Sequence, residues 1–148
     1  MTYTTEQLLE MTAEQLGDVF RDSPPGNIPN GKAKGTAIIK PGTDLAPVLA
    51  EIVEVFAWQG KTFDATSDTL VNEITFFGIS AIKAKIYVGP SLSDTNECII
   101  LDYSANSGIV GKVRDEIRLI SPQLYLGLVY LKEDPTIYFA LEFDELAE

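Results

Sequence analysis

The stretch Asp115-Glu-Ile-Arg118 sets an acid and a base three residues apart, among the apolar runs Leu124-Tyr-Leu-Gly127 and Ile137-Tyr-Phe-Ala-Leu-Glu-Phe143. Side chains of a strand alternate between its faces, so this odd spacing separates the two. Asp115 then shares a face with Val113, Ile117 and Leu119, while Arg118 joins Arg114 and Glu116. A carboxyl group on an apolar face must find a partner or hold its proton more tightly. On a functional reading, Asp115 lies inside a cavity, where it touches a ligand or moves a proton. On a structural one, it is paired with a lysine or hydrogen-bonded by a tyrosine and only fixes the fold. Were the segment helical, Asp115 and Arg118 would be i,i+3 neighbours worth roughly a few tenths of a kcal/mol.

Other side chains could join it. Asn72 stands between Leu70 and Ile74 on one strand face, either as an inward hydrogen bonder or as a bridge to backbone near an edge. Lys83 and Lys85 alternate with Ile82, Ala84 and Ile86, and Tyr87 shares the lysine face. That face is either a solvated exterior or one from which Lys85 or Tyr87 orients a ligand's carbonyl or carboxylate. Tyr103, Tyr125, Tyr130 and Tyr138 suit a cavity wall or ordinary packing, since each has an apolar body and one polar tip. The candidate ligand-binding set is Asp115, Asn72, Tyr103, Lys85, Tyr125 and Arg118, with Asp115 the candidate catalytic residue.

Three further signals carry less. Gly60-Lys61-Thr62 mimics the end of a phosphate-binding loop, but Val55 stands where the motif needs glycine, and the order is helix then strand. Gly60 reads instead as the C-cap of the preceding helix. Cys98 alternates with Ile100 and Asp102 as a small apolar residue with no base to activate it. The acids Asp134, Glu142, Asp144 and Glu145 match no calcium loop and read as a solvated edge and tail. Neither a metal nor a cofactor is expected.

Composition narrows the chemistry. The 148 residues include no histidine, which removes Ser-His-Asp and Cys-His catalysis and His-ligated metal or haem. Proton transfer must then use carboxylates, Lys, Tyr, Cys or water. A net charge of −11 would repel phosphate backbones and anionic lipid, so neither nucleic acid nor membrane is an expected partner. A small hydrophobic molecule fits better, and a homodimer stays open. A single cysteine allows no internal disulfide, and Met1-Thr-Tyr-Thr-Thr-Glu6 lacks the features of a signal peptide. The expected compartment is the cytoplasm.

The elements that must position these residues begin with a helical segment, 1–23, expected to lie on the rest of one domain. Thr4 with Gln7, and Thr12 with Gln15, match the capping-box spacing, and Leu8, Leu9, Leu16, Val19 and Phe20 give an apolar stripe. A turn-rich connector, Pro24 to Gly31, leads to a strand over Ala33–Lys40. Asp44 caps a helix to about Trp58, with Leu45, Val48, Leu49, Ile52, Val53 and Phe56 at helical spacing. Strands follow over Lys61–Asp64, Leu70–Phe77, Ala81–Val88, Glu97–Tyr103, Val113–Ile120, Leu124–Lys132 and Thr136–Phe143. Turns are expected at Gly78, Gly89-Pro90, Asn106-Ser-Gly108, Ser121-Pro122 and Asp134-Pro135. Residues 109–120 would also line a helix face. Short strands at even spacing, apolar on both faces, predict a mainly β (α+β) fold. It would be an antiparallel barrel with a partly covered outside, or a strongly curved sheet.

Gly31-Lys-Ala-Lys-Gly35, the helix after it, and Trp58-Gln-Gly-Lys-Thr-Phe63 resemble the bacterial GXWXG-type proteins, small calycin-like, lipocalin-related barrels of poorly known function. Trp58, Gly60, Lys61 and Phe63 carry the most specific part of the likeness, and Asp115, Arg118, Leu126 and Gly127 the next. The tryptophan that names the family is Ala33 here, so its role in closing one barrel end does not carry over. The resemblance implies a barrel and a possible internal cavity, not a reaction. Three functions are consistent with it. One is a module binding an apolar or aromatic ligand. Another is an isomerase, cyclase or dehydratase using carboxyl, tyrosine or lysine as acid and base. The third is a protein-interaction module with its interior filled by Phe76, Phe77, Phe139 and Phe143.

Overall fold

The computed structural model describes residues 2–38, 61–73 and 81–143. The expected helix over 44–58, with Trp58 and Gly60, lies outside these residues, as do Gly78, Phe76, Phe77, Asp144 and Glu145. For Asn72 the backbone alone is described.

The chain opens with two short helices, α1 (Thr5–Glu10) and α2 (Ala13–Asp22). Each begins with the capping box that the sequence spells. Thr4 Oγ1 accepts from the Gln7 backbone N–H while the Gln7 side chain accepts from the Thr4 N–H, and Thr12 with Gln15 repeats the pattern. Eight strands follow: β1 (Gly31–Ile38), β2 (Lys61–Asp64), β3 (Thr69–Glu73), β4 (Ala81–Pro90), β5 (Glu97–Asp102), β6 (Val113–Ser121), β7 (Leu124–Leu131) and β8 (Asp134–Phe143). Every strand pairs antiparallel with its neighbours in sequence, and β8 pairs with β1, so the sheet closes into a barrel. Closure removes the exposed edges that an open sheet would leave.

A short 3-10 helix, Gly108–Lys112, precedes β6, which is extended from Val113 onward. The helical alternative for 109–120 therefore applies only to its first turn. The turn expected at Asp134-Pro135 sits one step earlier. Lys132 and Glu133 take positive φ values of 52° and 70° between the paired residues Leu131 and Asp134. Pro135 belongs to β8 and lies beside a register shift, where a missing N–H does least damage to the ladder.

Alternation gives the barrel two apolar surfaces. The inner one gathers Ala33, Phe63, Leu70, Ile82, Ala84, Ile86, Ile99, Leu101, Tyr103, Val113, Ile117, Tyr125, Val129, Ile137, Phe139, Leu141 and Phe143. The outer one, over β6 to β8 and β1, carries Ile38, Ile120, Leu124, Leu126, Leu128, Tyr130 and Ala140, and is covered by Leu8, Leu16 and Phe20 of the two helices. That cover explains why β7 reads apolar at nearly every position. Among the described residues no helix is long and apolar enough to cross a membrane.

One end of the barrel is closed by packing. Phe63 and Tyr125 meet Phe143 edge-on, with ring centroids 5.5 and 5.6 Å away. The connector after α2 crosses this end. The Pro24 carbonyl accepts from Leu119 N–H (3.0 Å) and the Asn27 carbonyl accepts from the Tyr125 hydroxyl (2.7 Å). Gly26, at φ +72°, comes so close to Leu119 that a Cβ there would lie 2.6 Å from the Leu119 Cβ.

Candidate functional site: a buried acid and amine inside the barrel

Asp115 lies on the inner face of β6, between Leu101 of β5 and Val129 of β7 in the ladders, and is fully buried. Among the described residues neither of its carboxylate oxygens has a hydrogen-bond partner. Buried carboxylates are almost always paired, because losing water without replacement disfavours the charged form. Burial accordingly raises the Asp115 pKa from 3.8 to about 7, and the positive charge of Lys61 pulls it back part of the way.

Lys61 opens β2 and is 1% exposed. It pairs in register with Ala33 of β1 and Asn72 of β3, and the next inner residue along β2 is Phe63. β2 and β6 lie four strands apart in a barrel of eight, so Lys61 and Asp115 belong to opposite walls. Each feels the other's charge across the interior. Desolvation lowers the Lys61 ammonium from 10.5 to about 8, with Asp115 opposing the shift. Among the described residues the interior thus brings together an acid and an amine whose pKa values are pushed toward neutrality, in walls that are mainly apolar, with Tyr103 and Tyr125 beside them.

The sequence did not mark Lys61 as a site residue. Its signal was phase: Lys61 alternates with Phe63, and a lysine in step with a core phenylalanine must be inside. The structural reading allowed a lysine pair or a tyrosine hydrogen bond; Lys61 acts on Asp115 through its charge, and among the described residues no hydrogen bond reaches the Asp115 oxygens.

The other candidates divide between the two surfaces. Tyr103 is buried with the inner cluster, one residue past the end of β5, the strand that pairs with β6 at Asp115. Tyr125 is also inside, at the closed end, where burial pushes its hydroxyl up to about 12 and the Asn27 carbonyl holds its proton. Asn72 is placed only by register, opposite Lys61 and Ile82. Lys85 is exposed on the outer side of β4, so it cannot orient a ligand in the interior. Tyr87 lies on the same outer side, donating to Asp102 (3.2 Å). Tyr130 and Tyr138 face the helices.

Arg118 is buried, but outside the barrel. Its guanidinium donates to both Asp94 oxygens (2.8 and 2.9 Å) and to the carbonyls of Phe20, Glu97 and Asn96, and it stacks 4.5 Å from the Phe20 ring centroid. Those bonds hold Asp94 below the usual carboxylate range. Glu116, on the same outer face, accepts from Ser91 Oγ (2.5 Å), Leu92 N–H (2.9 Å) and the Arg114 guanidinium. Arg118 and Glu116 thus fasten the β4–β5 loop and the end of α2 to the wall. Arg118 reads as a clamp and makes no approach to the interior. The reason is the face separation that the sequence already implied.

Cys98 is buried on the outer side of β5, and burial pushes its thiol up to about 12, which disfavours the thiolate. Among the described residues no three Cys, Asp or Glu side chains converge to hold a metal ion.

No protein-family model matches the chain, and no curated protein matches it. Among solved structures it is similar to the crystal structure of a protein from Thermomonospora curvata, with a TM-score of 0.60 and 17% identity over 92% of this chain and 90% of that one. At this identity the likeness shows the fold alone. The chain is a closed, eight-stranded antiparallel barrel with helical cover, and that barrel recurs in the Thermomonospora protein.

Proposed function

We propose that this protein binds a small, mainly apolar molecule inside its barrel, with a polar head turned toward Asp115 and Lys61. The observation that carries the reading is Asp115, fully buried on an apolar wall with neither oxygen hydrogen-bonded by a described residue. A carboxyl group left so costs stability, and a bound molecule carrying a donor would offset the cost. Apolar walls with few polar groups suit such a ligand. A library of hydrophobic compounds should raise the melting temperature, by mass action, with some members shifting it by several degrees. Absence of any shift, and of any small molecule in native mass spectrometry of freshly purified protein, would sink the reading.

A second reading is supported by the raised Asp115 and lowered Lys61, which match an acid and a base working near neutral pH. On this reading the barrel is an isomerase, cyclase or dehydratase acting on a hydrophobic intermediate. Asp115→Asn would then abolish turnover and keep binding. Kinship with the GXWXG-type calycin-like proteins belongs to the same proposal. It is supported by the barrel and by Lys61, Phe63, Asp115, Arg118, Leu126 and Gly127. A cytoplasmic setting belongs to it too.

A further inference from the structure

We propose that the molecule held here is an apolar aldehyde or ketone, captured by Lys61 as an imine with Asp115 supplying the proton that carries off its oxygen. This rests on the ligand-binding reading above and names the ligand's reactive group.

Three features of the interior converge on it. Lys61 is a primary amine in step with Phe63 and Ala33 on the inner wall, almost wholly out of water. A desolvated lysine keeps more of its amine neutral near pH 7 than an exposed one, and the neutral amine is the nucleophile. Asp115 stands on the facing wall with acceptor capacity unused by the described residues. Walls of Leu, Ile, Val and Phe exclude the bulk water that would hydrolyse an imine.

The step balances without an oxidant or reductant. The Lys61 nitrogen lone pair forms a bond to the carbonyl carbon, and the C=O π pair moves to oxygen. One amine proton passes to that oxygen, giving a carbinolamine. The Asp115 carboxyl then protonates the hydroxyl, the C–O bond breaks, and water leaves. The nitrogen lone pair closes the C=N bond, leaving an iminium that keeps one proton. Asp115, now a carboxylate, is its counterion on the opposite wall.

Other head groups fit less well. A carboxylate ligand would bring a second negative charge beside Asp115, in a chain of net charge −11.

The test uses the full chain, decanal as probe, and sodium cyanoborohydride to reduce any imine to a stable amine. Intact-mass analysis and peptide mapping locate the adduct at pH 7 to 8. Lys61 should label about tenfold faster than the exposed Lys83 and Lys85, from its larger neutral fraction and the apolar site. Lys61→Met should remove that adduct; Asp115→Asn enlarges the neutral fraction of Lys61 but cannot protonate the carbinolamine hydroxyl, so at equal neutral fraction it should slow labelling. Nile red fluorescence, with displacement by decanol, follows non-covalent binding in parallel. If decanol displaces the dye but decanal labels only exterior lysines, the imine is overturned and the ligand-binding reading stands. If neither labelling at Lys61 nor dye binding occurs, both fall. Should a variant fail to fold, the map of the unaltered protein decides alone.

Discussion

Asp115 and Lys61 impose a pH dependence on the fold whose sign follows from their environments. Asp115 rises from 3.8 to about 7, so between those values the folded protein keeps a proton that the unfolded chain has released. Stability therefore falls as pH rises through that window. Lys61 drops from 10.5 to about 8, so across this higher window the unfolded chain holds the extra proton and stability rises with pH. The pair costs the fold most between the two windows. Asn at position 115 cannot ionise. The stability of Asp115→Asn relative to the parent should climb as pH rises through the lower window, by at most about 1.4 kcal/mol per pH unit. Urea denaturation at matched pH values measures this, and parallel curves would show that Asp115 titrates normally. The same variant should lower the Lys61 pKa further, since Asp115 raises it, and an NMR titration of the lysine side chain reads that directly.

At the scale of elements, β6 and β7 carry most of what distinguishes this barrel. β6 sends Asp115 inward and the clamps Glu116 and Arg118 outward. β7 has Gly127 on its inner face, opposite Ile117 and Phe139. The Phe139 ring fills the space above Gly127, where a Cβ would lie 2.1 Å from the ring's Cζ. Gly127→Ala must therefore push that ring aside. The expected cost is about 1–3 kcal/mol, the usual range for overpacking, measured as a lower urea midpoint at unchanged m-value. An unaffected midpoint would mean the ring moves freely. Gly127 and Phe139 were each legible as residues, but their contact was not, because it depends on the β7–β8 register.

For the whole molecule, the helices are part of the barrel's stability. They cover an outer surface of Leu124, Leu126, Leu128, Tyr130 and Ala140 that would otherwise be a large apolar patch. Arg118 ties the end of α2 to β6 through the Phe20 carbonyl. Deleting residues 1–22 should expose that surface and give self-associating or unfolded protein by light scattering and circular dichroism. A monomeric, equally stable barrel would show that the cover is dispensable.

The chain's own pattern determined the capping boxes, the strand succession and the separation of Asp115 from Arg118, because these depend on neighbours a few residues apart. Apolarity on both faces of β7 likewise announced two packed layers. The tertiary structure decided which face is inside, that Arg118 grips a loop and a helix end, that Lys85 faces solvent, and that Lys61 shares the interior with Asp115. Those facts rest on the closure of β8 onto β1 and on residues 54 positions apart facing one interior from opposite walls. No local spacing encodes a distance of that kind.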